Sequence, residues 1–330
     1  MMKKMFTVLL TLTVLFSVTL LGSGKVALRL AHFGMQGDPG YDAAEAFKKE
    51  VEEKSGGAIT IQIYPNNELG NPPEIIEQTK LGAIDASLVT QGSLDKYSKK
   101  FALLVTPFAF RSYEHAYKVQ DGPFYEWTKN DLEAQNMHLV GSWDYGFRNL
   151  TNSKRPVKVP DDVKGLKIRT PPEIQQLAAM EALGANVQQI SFTELVPALK
   201  QHTVDGQENP LTTIYTNKLW EVDQKYLSIT HHVYQSLNLV FSKATWDKLS
   251  PEHKAIIETA SKNAGQGMRD VVKNAEAKYI KLLEEKGIQT EYPDIEEFAK
   301  RMGPAYKKMA EYVGSQALLD EFLKMVEDAK

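Results

Sequence analysis

The chain has 330 residues, 42% hydrophobic and 25% charged, which suits a soluble globular protein of about two ordinary domains and excludes a disordered or fibrous one. Its net charge of -3 and pI near 6.2, with no lysine and arginine cluster interleaved with aromatics, leave no electrostatic footprint for nucleic acid. With no cysteine, disulfides and thiol nucleophiles are excluded as well.

At the start, Lys3 and Lys4 precede an uncharged run over residues 6–23, and Gly22 and Gly24 stand just before Lys25. The small residues fit the -3 and -1 positions of an export cleavage site, so residues 1–24 are predicted to be a signal peptide cleaved near Gly24. A run of roughly 18 apolar residues would also just span a bilayer. The small residues and the immediate switch to an alternating pattern favour cleavage. Export without disulfides points to a bacterial periplasm.

Residues 26–33 alternate as a strand, and 34–40 break it with Gly, Asp and Pro before an amphipathic helix over 41–54. Ile59, Ile61 and Ile63 mark a second strand, Pro72 opens a helix to about Leu81, and 86–89 reads as a third strand. This β-α-β-α-β order predicts an α/β fold with a parallel sheet and right-handed crossovers. Thr90 follows the third strand and Glu74 lies in the first turn of the preceding helix, both at the sheet edge where ligands bind. Turn and capping chemistry accounts for both residues equally well.

A helix is predicted over 113–130, then a strand over 139–150 carrying Trp143, Tyr145 and Arg148. Aromatic rings beside a cation suit the floor of a pocket for a polar organic anion, although such stripes also build cores. The polar stretch 152–162 resembles a crossing between domains. In 165–172, read Gly-Leu-Lys-Ile-Arg-Thr-Pro-Pro, a strand alternates until prolines end it, and Arg169 sits where it stops. There it can meet an anion with paired hydrogen bonds, but on spacing alone the commoner role is a solvated or salt-bridged surface group.

A helix follows over 172–183, then a short strand near 187–190 and a helix from Phe192, with Ser191 and Glu194 as a capping box and Pro197 inside. Residues 204–210 read as a strand tip broken by Gly and Pro, with Asn209 able to donate and accept. A strand over 233–241 returns to the first domain, so the chain crosses the cleft at least twice and a hinge is plausible. Residues 252–286 keep helical periodicity, a rod of roughly 50 Å. A short strand and two helices complete the chain.

Catalytic signatures are missing: no Gly-x-Ser-x-Gly elbow, no His-Glu-x-x-His helix and no Walker loop occurs. The histidines are scattered. Adjacent His231 and His232 would face opposite sides of a strand, which argues against a shared metal. No cofactor, metal or catalytic residue is assigned.

Four blocks carry a resemblance: the run Gly-Phe-Arg-Asn-Leu-Thr-Asn-Ser-Lys-Arg-Pro from Gly146, Gly-Leu-Lys-Ile-Arg from Gly165, Phe-Thr-Glu-Leu from Phe192, and Val-Asp-Gly-Gln-Glu-Asn-Pro from Val204. From about Val26 onward the chain resembles the solute-binding proteins of tripartite ATP-independent periplasmic (TRAP) transporters. The resemblance implies two α/β lobes with a long inter-lobe helix, closing over an organic acid and delivering it to membrane permease subunits. It implies that Arg169 pairs with the ligand carboxylate, that Arg148 lies near the same group, and that Phe192 and Asn209 pack against and hydrogen-bond the ligand. His32, Glu74, Thr90 and Gln91 fall at positions that touch the other end. The lobes are expected at 25–147 with about 233–265, and at 148–232, with 266–330 continuing the long helix and packing across both. His202 stands where a glycine is common, so local geometry there is in question. A sugar acid, hexuronate or aldonate, is the expected ligand of a monomeric, non-catalytic carrier. The alternatives are a C4-dicarboxylate or 2-oxo or hydroxy acid, a sensor-linked binding protein, and, weakest, a periplasmic carbohydrate enzyme.

Overall fold

A computed structural model describes residues 25–330, so the predicted signal peptide lies outside the described residues. Nine strands form one sheet: β1 (Val26–His32), β2 (Ile59–Tyr64), β3 (Ala86–Thr90), β4 (Met137–Asn152), β5 (Lys167–Thr170), β6 (Asn186–Gln189), β7 (Gly206–Pro210), β8 (Tyr226–Ser242) and β9 (Gln289–Glu291). Their order is β2-β1-β3-β8-β4-β7-β5-β6, with β9 on β8. Two parallel units, β2-β1-β3 and β7-β5-β6, flank the long antiparallel pair β8 and β4. The outer units are the βαβ halves predicted from the alternation of strand and helix.

The central pair gives the molecule two lobes. β3 pairs with the 237–241 end of β8, whereas β7 pairs with the 148–152 end of β4, so each long strand serves one lobe at one end and the other lobe at the other. Between those ends the β4–β8 register slips at Asp144/Gly146 and again at Arg148/Leu150. Gly146 has φ +94 and His231 has φ 44. Bulges of this kind bend a strand and increase its twist, and here they sit at the crossing.

The helix Pro251–Glu285 lies across both lobes. Ile257, Ala260 and Met268 join the first-lobe core with Phe47 and Trp143, while Ile280 and Leu283 join the second-lobe core with Leu195 and Leu227. Gly265 does not break it; a Cβ there would meet Trp143 at 2.8 Å, so the glycine lets helix and sheet approach. After β9 come three helices rather than two: Ile295–Ala299, Gly303–Val313 and Gln316–Asp328. Phe298 and Ala305 pack with the second lobe, whereas Met309 and Phe322 pack with the first.

Three local expectations change. The helix expected over 113–130 is interrupted over Gln120–Phe124, because Gly122 is non-helical and Pro123 supplies no N–H. The helix expected from Pro172 starts at Ile174, since Pro171 and Pro172 hold the chain extended and Glu173 caps it with φ -123 and ψ 133. The tip expected at 204–210 contains β7, every residue of it buried; a Cβ on Gly206 would lie 2.1 Å from the Thr151 carbonyl oxygen, so only glycine permits this pairing. At His202 the φ of 53 shows the left-handed geometry that glycine would supply.

Candidate functional site

A cavity of about 420 Å³ opens between the lobes where β3, β4, β5 and β7 end or bend. Arg169, the third residue of β5, alternates against the core-facing Ile168 and so points to the other face of the sheet. It lines the cavity yet is only 1% exposed. Its Nε donates to the Ile190 carbonyl at 2.9 Å, and its Nη2 has no partner. Burial lowers this guanidinium to about 10, and the neighbouring charge of Arg148 adds to the effect while Glu208 opposes it. An anion in the cavity would supply what the fold leaves unmet.

Arg148 is different. Its Nε and Nη2 donate to the two carboxylate oxygens of Glu208 at 2.5 and 2.8 Å, its Nη1 donates to Gln235 at 2.5 Å, and Nη2 also reaches Asn209 Oδ1 at 3.1 Å. His232 Nε2 donates to Glu208 at 3.1 Å while its Nδ1 accepts from Thr230. Burial would raise the Glu208 carboxyl, but Arg148 and His232 outweigh it and hold it below the usual range. Arg148 is therefore already paired within the fold. Asn209 completes the same network by donating to Gln207.

Three rings close the apolar side. Phe33 stands edge-on to Tyr145 and to Phe192, with centroids 5.6 and 5.8 Å apart, so rings from both lobes meet over the cavity. The Tyr145 hydroxyl is paired with Thr213 at 2.8 Å. Ser191 does not form the expected reciprocal capping box; its hydroxyl donates to Glu194 at 2.7 Å instead. On the first-lobe side Thr90 and Ser93 bond each other at 2.7 Å, and Glu74 caps its helix by accepting from the Asn71 N–H at 2.7 Å.

Of the residues singled out from the sequence, the fold brings Arg169, Arg148, Asn209, Phe192, Tyr145, Thr90 and Glu74 to one cavity. Three others lie elsewhere. Trp143 faces the long helix, with Nε1 donating to Ser261 at 3.2 Å, because the bulge beside Asp144 separates its environment from that of Tyr145. His32 turns back on its own loop, its Nδ1 accepting the Gly34 N–H at 3.0 Å, and the cavity position belongs to Phe33 one residue later. Gln91 begins a turn that aims its Oε1 at Asn238 and Ser236 of β8.

Sequence reasoning did not single out Glu173, Gln235 or Phe33. Glu173 lines the cavity at 6% exposure, accepting from Thr90 at 2.7 Å and from Gln176 and Gln235 at 3.1 Å each. Burial raises its carboxyl above the usual range. The double proline ahead of it was the available signal, since it marks an extended residue before a helix at the crevice edge. Among the described residues, no group of three or more His, Cys, Asp or Glu could hold a metal ion, and no helix is long and apolar enough to cross a membrane.

Comparison with known proteins gives a consistent result. The family model described as bacterial extracellular solute-binding protein, family 7, matches residues 30–312. The 2,3-diketo-L-gulonate-binding periplasmic protein of Escherichia coli is 35% identical over 263 residues, 80% of each chain. A TRAP periplasmic solute-binding protein of Polaromonas sp. JS666, solved with D-erythronate, superposes with a TM-score of 0.85 at 33% identity, covering 91% of this chain and 98% of that one. The sugar acid binding protein of Advenella mimigardefordensis, solved with galactonate, reaches a TM-score of 0.88 at 28% identity, covering 93% and 99%.

Proposed function

The chain belongs to the bacterial extracellular solute-binding proteins of family 7, the periplasmic binding proteins of TRAP transporters, and from that membership we propose that it closes over a sugar acid and presents it to a membrane permease. One observation carries the ligand class: a buried guanidinium, Arg169, keeps an unpartnered Nη2 at an inter-lobe cavity. A carboxylate is the planar anion that matches it. Beyond that group the lining offers Thr90, Ser93, Asn209 and Glu173, which suit hydroxyls, and rings that cover an apolar edge. The named relatives support the same class, since diketogulonate, erythronate and galactonate are all oxygen-rich acids.

In this reading Arg169 pairs with the carboxylate, Arg148 and Asn209 hold its surroundings, and Phe192 packs on the carbon chain. The lobes are residues 25–147 with about 233–265, and 148–232, with 266–330 tying them together. Closure turns on the bulged middle of β4 and β8, and ligand favours the closed state through contacts to both lobes. The protein works as a periplasmic, non-catalytic monomer released from its signal near Gly24.

Truncating Arg169 to Ala should weaken binding of an aldonate by about 2–5 kcal/mol, because the carboxylate would be desolvated without its partner. Calorimetry giving wild-type affinity in that variant would remove the carboxylate assignment. Thermal-shift screening of organic acids identifies the ligand, since binding to the folded state alone raises the melting temperature.

A further inference from the structure

We infer that Glu173 makes this site selective for monocarboxylates, accepting a hydroxyl of the ligand and repelling a second carboxylate. The inference rests on the reading that Arg169 takes the ligand's carboxylate, and it concerns the remainder of the same ligand.

The cations decide how many carboxylates the cavity can hold. Arg148 is forked onto Glu208, and Lys96 stands half-exposed in a surface ion pair with Glu77 at 3.1 Å. Among the described cationic residues lining the cavity, this leaves Arg169 as the one with a buried nitrogen lacking a partner. One free guanidinium edge matches one carboxylate.

The acids decide what the rest of the ligand can be. Glu173 is buried on the cavity wall, and all three of its side-chain donors are neutral: the Thr90 hydroxyl and the amides of Gln176 and Gln235. No cation pairs with it directly; Arg148 and Arg169 act on it only through space, and Gln235 stands between it and Arg148. Gly92 makes room for it, since a Cβ there would stand 2.2 Å from Oε2, so the carboxylate occupies space that any other residue at 92 would fill. Asp95, also buried, adds a second carboxylate to the same lining. A dicarboxylate seated on Arg169 would carry its other charge toward these acids in a site of reduced dielectric, where like charges repel strongly. A hydroxyl meets the opposite reception. Thr90 donates to Glu173 Oε1, so Ser93 donates to Thr90, and Oε1 keeps a lone pair for a ligand donor.

The test uses matched pairs that differ only at the far carbon: D-gluconate with D-glucarate, and D-erythronate with meso-tartrate. Calorimetry on the wild-type protein should show the monocarboxylate of a bound pair preferred by at least tenfold. Glu173→Gln should shrink that preference at least fivefold, while Glu173→Asp, which keeps the charge, should preserve it. A merely structural role would weaken both members alike and leave the ratio unmoved. Equal affinity for both members in the wild type, or an unchanged ratio in folded Glu173→Gln, overturns the inference while leaving the carboxylate assignment to Arg169 standing. Binding of neither pair by the wild type instead removes the sugar-acid reading and this inference with it. Should Glu173→Gln fail to fold, the wild-type ratio still decides, because absence of a preference overturns the proposal.

Discussion

The two arginines of the site sit on β4 and β5, the strands on either side of β7, both almost fully buried, and have opposite fates. Arg148 is saturated by Glu208, Gln235 and Asn209, whereas Arg169 has one backbone carbonyl and an unmet Nη2. A buried charge costs several kcal/mol unless paired, so the first is a structural brace and the second a cost the fold bears for its ligand. The difference teaches that burial of an arginine does not identify a binding residue; the unspent donor does.

The largest expected effect tests the brace. Arg148→Met leaves Glu208 buried with only His232 and should destabilise the fold by about 3–5 kcal/mol in urea unfolding. A loss under about 1 kcal/mol would show that Glu208 finds other partners, and the contrast would break.

A second expectation probes a buried basic group that burial keeps neutral. Burial holds the His32 ring to about 4, below its ordinary 6.5, and protonation would give the proton-accepting Nδ1 a hydrogen in place of the lone pair that takes the Gly34 N–H. As pH falls through 6.5 the unfolded chain takes up the proton first, so stability from this group is present above pH 6.5 and lost on the way to about 4. His32→Gln should lessen the acid-side loss by up to about 3 kcal/mol, from about 1.4 kcal/mol per pKa unit. Parallel melting curves of the two proteins from pH 7 to 4 would count against this.

The smallest effect has the opposite sign to the first. Arg169→Met should stabilise the ligand-free protein by about 1–3 kcal/mol, because it removes an unsatisfied buried donor, while abolishing the gain in melting temperature on adding an aldonate. Destabilisation on the scale of Arg148→Met would mean that Arg169 is a second brace.

The period-two and helical patterns made most of the secondary structure legible. β1 to β5, the 35-residue helix and the α/β order all follow from residue spacing, because periodicity reports which face of an element is buried. The motif blocks placed Arg169, Arg148, Asn209 and Phe192 together. Spacing could not resolve Trp143 from Tyr145, which differ by two residues and share strand parity, because a bulge between them redirects the chain. His32 and Phe33 were exchanged for a related reason: the strand ends there, and alternation stops predicting direction where the backbone turns.

By itself the sequence determined the fold class, the two βαβ units and the presence of an arginine at the crevice, since these depend on local periodicity and on short motifs. Only the tertiary structure decided which arginine is free and that Glu173 shares its cavity. Glu208 and His232 lie 60 and 84 residues from Arg148, and Thr90 lies 83 from Glu173. Whether a charge is spent or available depends on partners that folding alone brings within hydrogen-bond distance, so local sequence cannot report it.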